Sequence, residues 1–358
     1  NTLNAQMGKD GAPTIYNIGN MSGLKDWDEY ALDLTGTALA GELATNDFNL
    51  YNEAGELKAM GYCYESFGII VNTKLLADAG HSLDEIKDFA SLKAVADDIH
   101  ARAAELGFDA FSSAGLDGSS SWRFSGHLAN MPLYYEFRDD GVTEQPAEIK
   151  GTYLDNFRNI WDLYITDSAA DPTALSTATG DQSEAEFGEG KAVFYQNGTW
   201  EYAALTADKF NLNPDEIAMI PIYCGVDGEE KAGLCAGTEN CWAINNESSE
   251  EDIQATIDFL VWVVTSDEGT TMLAQEFGPC PFKDAKEPEN VFFQDANKYT
   301  ADGKYVVTWA FNWTPAVDDW RAAVVDALTQ YTAGTGDWSA VETAFVQGWA
   351  TLYAKDNA

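Results

Sequence analysis

Glu65 stands in the stretch GYCYESFGIIVN (61–72), with Tyr62, Cys63 and Tyr64 before it and the apolar run Gly68-Ile69-Ile70-Val71 after it. A carboxylate accepts hydrogen bonds from hydroxyls, and tyrosine rings offer flat apolar faces, so the combination suits a pyranose ring. The same residues also fit a solvated carboxylate at a strand edge with half-buried tyrosines as filler, and the stretch alone does not separate the two. A second informative stretch is FGEGKAVFYQNGTWEYAAL (187–205), where Trp200 follows Gly198 at the junction of a strand and a helix. A core tryptophan more often sits within an element than at its tip, so this placement favours a ligand face. A third is Trp122-Arg123, directly after the Gly/Ser loop 115–121. That pair can stack on and hydrogen-bond a ligand, or equally start a helix that docks on its own domain.

Covalent chemistry finds less support. His81, His100 and His127 are scattered, and none sits in a motif with a serine, cysteine or carboxylate partner. There is no GxSxG elbow, HExxH, P-loop or GxGxxG. The five cysteines (Cys63, Cys224, Cys235, Cys241, Cys280) contain no CxxC and lack zinc-site spacing. No catalytic residue, metal or cofactor is therefore assigned. In an exported protein Cys235 and Cys241, or either with Cys224 or Cys280, can form a disulfide; five reduced thiols fit as well. A glycosidase working with two carboxylates stays as the enzyme alternative, because 59 acidic residues neither exclude such a pair nor point to it.

Those 59 Asp and Glu face only 20 Lys and Arg, a formal net charge of −39. The field repels nucleic acid and anionic membrane, which removes both as partners. It leaves room for a cationic ligand such as a polyamine, although surface acidity also serves solubility. At 358 residues with 45% apolar content the chain is long enough for two cored domains, and no apolar run approaches the length of a bilayer span.

Positioning these residues requires an alternation of strands and helices. TIYNIGN (14–20), the apolar end of GYCYESFGIIVN, AVFY (192–195) and AMIPIY (218–223) have strand composition, and Asn52 to Glu56 reads as a hairpin tip. SLKAVADDIHARAAELGF places Leu92, Val95, Ala96, Ile99, Ala103 and Leu106 on one helical face, with His100 off it and exposed. Ser248 with Glu251 is a capping box for a helix whose buried stripe is Ile253, Ile257, Leu260, Val261 and Val264. After the aromatic loop TWAFNWTP (308–315) come two helices, one with Trp320, Val324, Ala327 and Leu328 and one with Val341, Phe345, Trp349 and Leu352.

Taken in order, the stretches resemble the extracellular solute-binding proteins of carbohydrate ABC importers, the group of maltose-binding protein. DGAPTIYNIGN is similar to the family's Gly-x-x-Pro-Asp-hydrophobic strand, with Thr14 where Asp is usual. GYCYESFGIIVNTKLLADAG resembles the segment that ends in a Tyr-Asn-Lys helix start, here Val71-Asn72-Thr73. FGEGKAVFYQNGTWEYA is similar to Phe-x-x-Gly-Lys-Ala followed by Gly-x-Trp, and GLCAGTENCWAINNESSEEDIQATIDFLVWVVTSDEG to the strand and capped helix that follow. The last helix pair, broken at Gly334, matches too.

The resemblance implies an α/β, two-lobed periplasmic-binding-protein-like fold. Each lobe is a sheet flanked by helices, and the ligand sits in a cleft between lobes that closes by hinge motion. Lobe I would comprise 1–64 and 239–305, lobe II 66–237 and 310–358, and the family's first strand and helix look missing. It also implies a sugar-binding carboxylate at Glu65, flanked by Tyr62 and Tyr64, and a stacking indole at Trp200. A first-lobe ligand loop would lie around Asn20, and a cleft position at Trp320 or Arg321; Trp122 and Arg123 complete the candidates. The expected partners are a mono- or oligosaccharide and an ABC importer permease. The expected protein is a monomer outside the cytoplasmic membrane, held there as a lipoprotein or free in the periplasm.

Overall fold

The structure, a computed structural model, describes residues 2–7, 9, 11–113 and 115–357; Asp10, the first residue of the DGAP stretch, lies outside them. Among the described residues ten strands are formed in chain order: β1 (Ile15–Asn17), β2 (Leu50–Tyr51), β3 (Leu57–Gly61), β4 (Glu65–Asn72), β5 (Asp109–Phe111), β6 (Ala192–Gly198), β7 (Ile217–Ile220), β8 (Ala232–Gly237), β9 (Cys241–Ile244) and β10 (Tyr305–Thr308). The chain divides into two compact units. The first is Asn1–Glu65 with Gly237–Asn290, the second Ser66–Ala236 with Val291–Ala358.

The first unit is built on a four-stranded sheet in the order β1-β9-β3-β2. Its pairings are antiparallel throughout. The turn from Asn52 to Glu56 joins β2 to β3 as the sequence suggests; the Asn52 side chain accepts from the amides of Ala54 and Glu56. The helix Glu250–Thr265 packs Ile257, Leu260, Val263 and Val264 against Leu57, Met60 and Ile244 of the sheet. Its cap is one residue later than the Ser248–Glu251 box. Ser249 Oγ accepts from the amide of Asp252 at 3.1 Å and donates to that residue's carboxylate at 2.7 Å, because Asp in the register Ser-x-x-Asp does the work expected of Glu.

The second unit holds a six-stranded sheet, β10-β8-β4-β6-β5 with β7 also on β4. After Glu65, every residue of β4 is buried, as befits a central strand with both faces covered. Gly68 is required there, since a Cβ would stand 2.4 Å from the carbonyl oxygen of Ile220 on β7. The amphipathic helix at 89 buries Leu92, Val95, Ala96 and Ile99 but ends at Ala101. Arg102 leaves helical geometry (φ −107°, ψ 9°), so Ala103 and Leu106 fall on a separate short helix, Ala103–Leu106. His100, 41% exposed at its side chain, bonds the carboxylate of Asp109 through Nδ1 at 2.8 Å.

Residues 291–305, expected with the first lobe, belong to the second unit. The helix Val291–Ala301 buries Phe292 in a cluster with Tyr195, Ile217 and Met219, and its Asp295 accepts from the amide of Met219 at 2.8 Å. All five cysteines are free thiols; the Cys235–Cys241 pairing would join residues of different units. The C-terminal stripes pack as expected, Trp320, Val324, Ala327 and Leu328 with Val341, Phe345 and Trp349. Among the described residues no helix is long and apolar enough to cross a membrane.

Candidate functional site

Each unit carries one patch that contains residues singled out by the sequence. In the first unit, β3 ends at Gly61 and β4 begins at Glu65, so Tyr62, Cys63 and Tyr64 lie in the extended link between them. Asn240, just before β9, donates from Nδ2 to Glu65 Oε2 at 2.9 Å, and its own amide is held by Thr238 Oγ1 at 2.9 Å. Burial raises the Glu65 carboxyl to about 7; the Asn240 bond opposes the rise and the charge of Glu239 adds to it. The group is therefore close to half ionised at neutral pH. Tyr62 has one face covered by Trp242 (centroids 4.5 Å, 13°) and meets the edge of Phe277 at 5.4 Å. Tyr64 stacks on Phe48 at 4.8 Å and 7°. Asn20 caps the helix Met21–Trp27, its Oδ1 accepting from the amide of Gly23 at 2.9 Å; this acceptor is committed to backbone.

In the second unit, β6 pairs with β4 in the register Phe67↔Gly198. The ladder is prolonged by the amide of Thr199 donating to Ser66 O at 2.8 Å. Trp200 follows, half-buried, with its ring folded back over Gly198, where a Cβ would fall 2.2 Å from the indole. Trp122 lies 6.0 Å from it and His127 5.5 Å, and His127 stacks flat on Phe67 at 3.9 Å and 9°. Trp309 and Phe311 continue the cluster from Phe67, and the Arg321 guanidinium sits 5.1 Å from the Phe311 centroid. Gln196 Nε2 donates to His127 Nδ1 at 2.8 Å, which puts the ring proton of the neutral form on Nε2. Burial, with the charges of Arg123 and Arg321 adding to it, holds His127 well below its ordinary value, so the ring is uncharged at neutral pH.

Two candidates are corrected. Arg123 is only 2% exposed and turned inward. Its guanidinium donates to Gln196 O at 3.0 Å and to Ser120 Oγ at 2.8 Å and lies over Tyr195, so it fixes the loop 115–121 to β6 and presents no donor to a ligand. Trp320 is fully buried, its indole N–H donating to Phe345 O at 2.9 Å and its ring wedged against Phe345 and Trp349. The helical stripe that contains it signalled core, and the core reading holds. Trp122 stays half-buried beside Trp200, with its N–H donating to Ser119 O at 2.9 Å.

Other members of the patches went unnamed in sequence. Asn240 and Trp242 sit in ENCW, where the family resemblance implied a strand but nothing marked a polar tip. Trp309 and Phe311 were visible as an aromatic loop with nothing to say which rings faced which. His127, isolated in sequence, joins the cluster through a six-residue stretch of wide helix, Arg123–Leu128. The first patch offers a carboxylate and an amide for hydroxyl groups, the second an indole face backed by a buried, neutral imidazole. Among the described residues no group of His, Cys, Asp and Glu is placed to hold a metal ion.

Residues 1–301 match the family of bacterial extracellular solute-binding proteins. No curated protein matches the chain in sequence. Among solved structures it is similar to the solute-binding protein RafE in complex with raffinose (14% identity, 100% of this chain and 89% of that one, TM-score 0.75). It is likewise similar to a Bacillus licheniformis sugar transporter in complex with stachyose (16%, 98% and 88%, TM-score 0.72). A probable secreted solute-binding lipoprotein from Streptomyces coelicolor matches at 14% over 96% and 86%, with a TM-score of 0.68. At these identities the likeness establishes the fold.

Proposed function

This chain belongs to the bacterial extracellular solute-binding proteins, and from that premise we propose that it binds a neutral sugar or oligosaccharide and delivers it to an ABC importer permease. The observation that carries the reading is Trp200. Its half-exposed indole is held at the end of β6 by Gly198 beneath and by Trp122 and His127 beside it. A rigid aromatic plane of this kind takes the apolar face of a pyranose at little entropic cost. Glu65, aimed by Asn240, supplies a charged acceptor for sugar hydroxyls. Raffinose and stachyose are what two of the similar structures hold, and a galactose-containing oligosaccharide of that type heads the panel of ligands to test. The protein works outside the cytoplasmic membrane; a lipid anchor, the property named for the Streptomyces relative, would keep it near the permease.

The charge of −39 supports a second reading, a polyamine ligand. Thermal unfolding against neutral mono- and oligosaccharides, with spermidine alongside, separates the two, since a ligand that binds only the folded state raises the midpoint. The proposal expects one saccharide class to raise it equally at low and high salt. A rise with spermidine alone, lost at high salt, would replace the sugar with a cation. Release of reducing sugar during incubation would point to a hydrolase.

A further inference from the structure

Successive side chains of a strand point to opposite faces, and β6 uses both faces at its end. Gln196 and Gly198 share one face, where Gln196 meets His127 and the Trp200 ring lies over Gly198. Tyr195 and Asn197 share the other. There Asn197 Nδ2 donates to Tyr195 Oη at 2.7 Å, and Tyr195 Oη donates to Glu201 Oε2 at 3.4 Å. Asn197 Oδ1 in turn accepts from the amide of Gly198 at 2.9 Å. A chain of hydrogen bonds thus links Gly198 through Asn197 and Tyr195 to Glu201, and it spans the turn that carries Trp200. Two neighbours in sequence straddle the strand end, the Trp200 indole on one face and the Glu201 carboxyl on the other.

Helix capping does not hold this turn. The helix Glu201–Thr206 has six residues, too few to be stable alone, and Trp200 at its N-cap makes no side-chain cap bond. The strand ladder fixes the chain as far as Thr199, whose amide donates to Ser66 O, and Leu205 is buried at the far end of the helix. Between those two anchors, Glu201 is tied to the strand through Tyr195. Tyr195 is itself held fast: it is 1% exposed, with Phe187 stacked at 5.6 Å and the Arg123 guanidinium 5.2 Å from its centroid. Burial, with the charge of Glu184 adding to it, raises Glu201 to about 7, while Arg123, the Tyr195 bond and Lys209 oppose the rise. The ionised and the neutral carboxyl both offer an oxygen to a phenol, so the tie serves either form.

We propose, resting on the reading of Trp200 as the stacking face, that Tyr195 and Glu201 are positioning residues of the saccharide site. From the opposite face of β6 they hold the Trp200 indole over Gly198. Neither touches the sugar; each acts through the backbone at 200–201. Affinity then depends on a phenol and a carboxyl that the ligand never meets.

The test labels the full chain with 5-fluorotryptophan and follows its fluorine NMR spectrum without ligand, the Trp200 resonance being assigned by its loss in Trp200→Phe. Tyr195→Phe deletes one hydroxyl and keeps the ring for Phe187 and Arg123. Glu201→Ala deletes the acceptor, and Glu201→Gln keeps one. The Trp200 resonance should shift or broaden in Tyr195→Phe and Glu201→Ala and stay at its wild-type position in Glu201→Gln. The buried Trp320 and Trp349 should give unchanged resonances in all three, which reports an intact fold. Raffinose affinity should drop about five- to tenfold in the first two variants and lie within about twofold of wild type in Glu201→Gln. An unmoved Trp200 resonance in Tyr195→Phe, or raffinose affinity that keeps its wild-type value while the resonance moves, would overturn the positioning role. So would a loss in Glu201→Gln equal to that in Glu201→Ala. A moved resonance in a chain whose wild type ignores raffinose would support the hold on Trp200 and count against the sugar reading alone.

Discussion

Trp200 and Trp349 present the same side chain in opposite surroundings, one half-buried and one fully buried. Trp349 is fully buried, its N–H donating to Pro146 O at 2.8 Å, so Trp349→Ala should destabilise the fold by about 3–5 kcal/mol. Trp200→Ala should leave the unfolding midpoint nearly unchanged and weaken sugar binding by about 2 kcal/mol or more, as truncating a stacked anchor does. Equal affinity in wild type and Trp200→Ala would remove the indole from the site. Glu65 adds a pH dependence with two signs. Its folded-state value of about 7 exceeds the ordinary 4.5, so the native state holds a proton that the unfolded chain has released. The resulting stability is present at and below about 4.5 and is lost as pH rises towards 7. Glu201, also raised to about 7 chiefly by burial, acts in the same window, so only the difference from Glu65→Gln isolates Glu65. Binding runs the other way, because the ionised carboxylate is the better acceptor. Affinity in wild type should rise about tenfold between roughly pH 6 and pH 8. In Glu65→Gln it should stay flat and be weaker at the upper end by about 1.5–3 kcal/mol. Calorimetric titration at the two pH values checks this, and a flat wild type would sink it. At this scale the sequence was partly legible: it put Trp200 at an element's tip, where the structure has it, and the stripe around Trp320 already signalled core, whereas Arg123 misled because its direction is set by packing that no local pattern records.

The elements that hold these residues were better signposted. The apolar run of β4, the turn at Asn52 and the helical stripes ending in Leu328 and Trp349 follow from periodicity and turn chemistry alone. Boundaries were less secure. The break at Arg102 and the cap at Ser249 each differ from the sequence pattern by local geometry that several neighbouring residues could satisfy. The second patch was legible only as separate stretches, since the Phe67↔Gly198 register that brings 66–67 to 198–200 is a long-range pairing. Gly198 makes the strongest element-level prediction. A methyl group there would overlap the indole of Trp200 at 2.2 Å, so Gly198→Ala must swing the ring off the strand. Its tryptophan fluorescence should shift, and its sugar affinity should drop nearly to that of Trp200→Ala while the fold survives. Wild-type affinity in Gly198→Ala would show that the ring's rest position is immaterial to binding.

Over the whole molecule, 59 acidic against 20 basic residues say little about the fold and much about which ligands salt should affect. The alternation of strands and helices and the order of motifs carried the α/β architecture. The assignment of 291–305 did not follow from them, because the helix Val291–Ala301 joins the second unit through tertiary packing on β7. A neutral saccharide held by an indole face and hydrogen bonds should ignore ionic strength despite the protein's charge. Calorimetric titration of the wild-type chain with raffinose, stachyose and manno-, xylo- and chito-oligosaccharides, at low and high salt, measures saccharide binding directly. Saturable binding of one of these classes is expected, with the same affinity at both salt concentrations. Heat from spermidine alone, abolished by salt, or no heat from any saccharide, would contradict it.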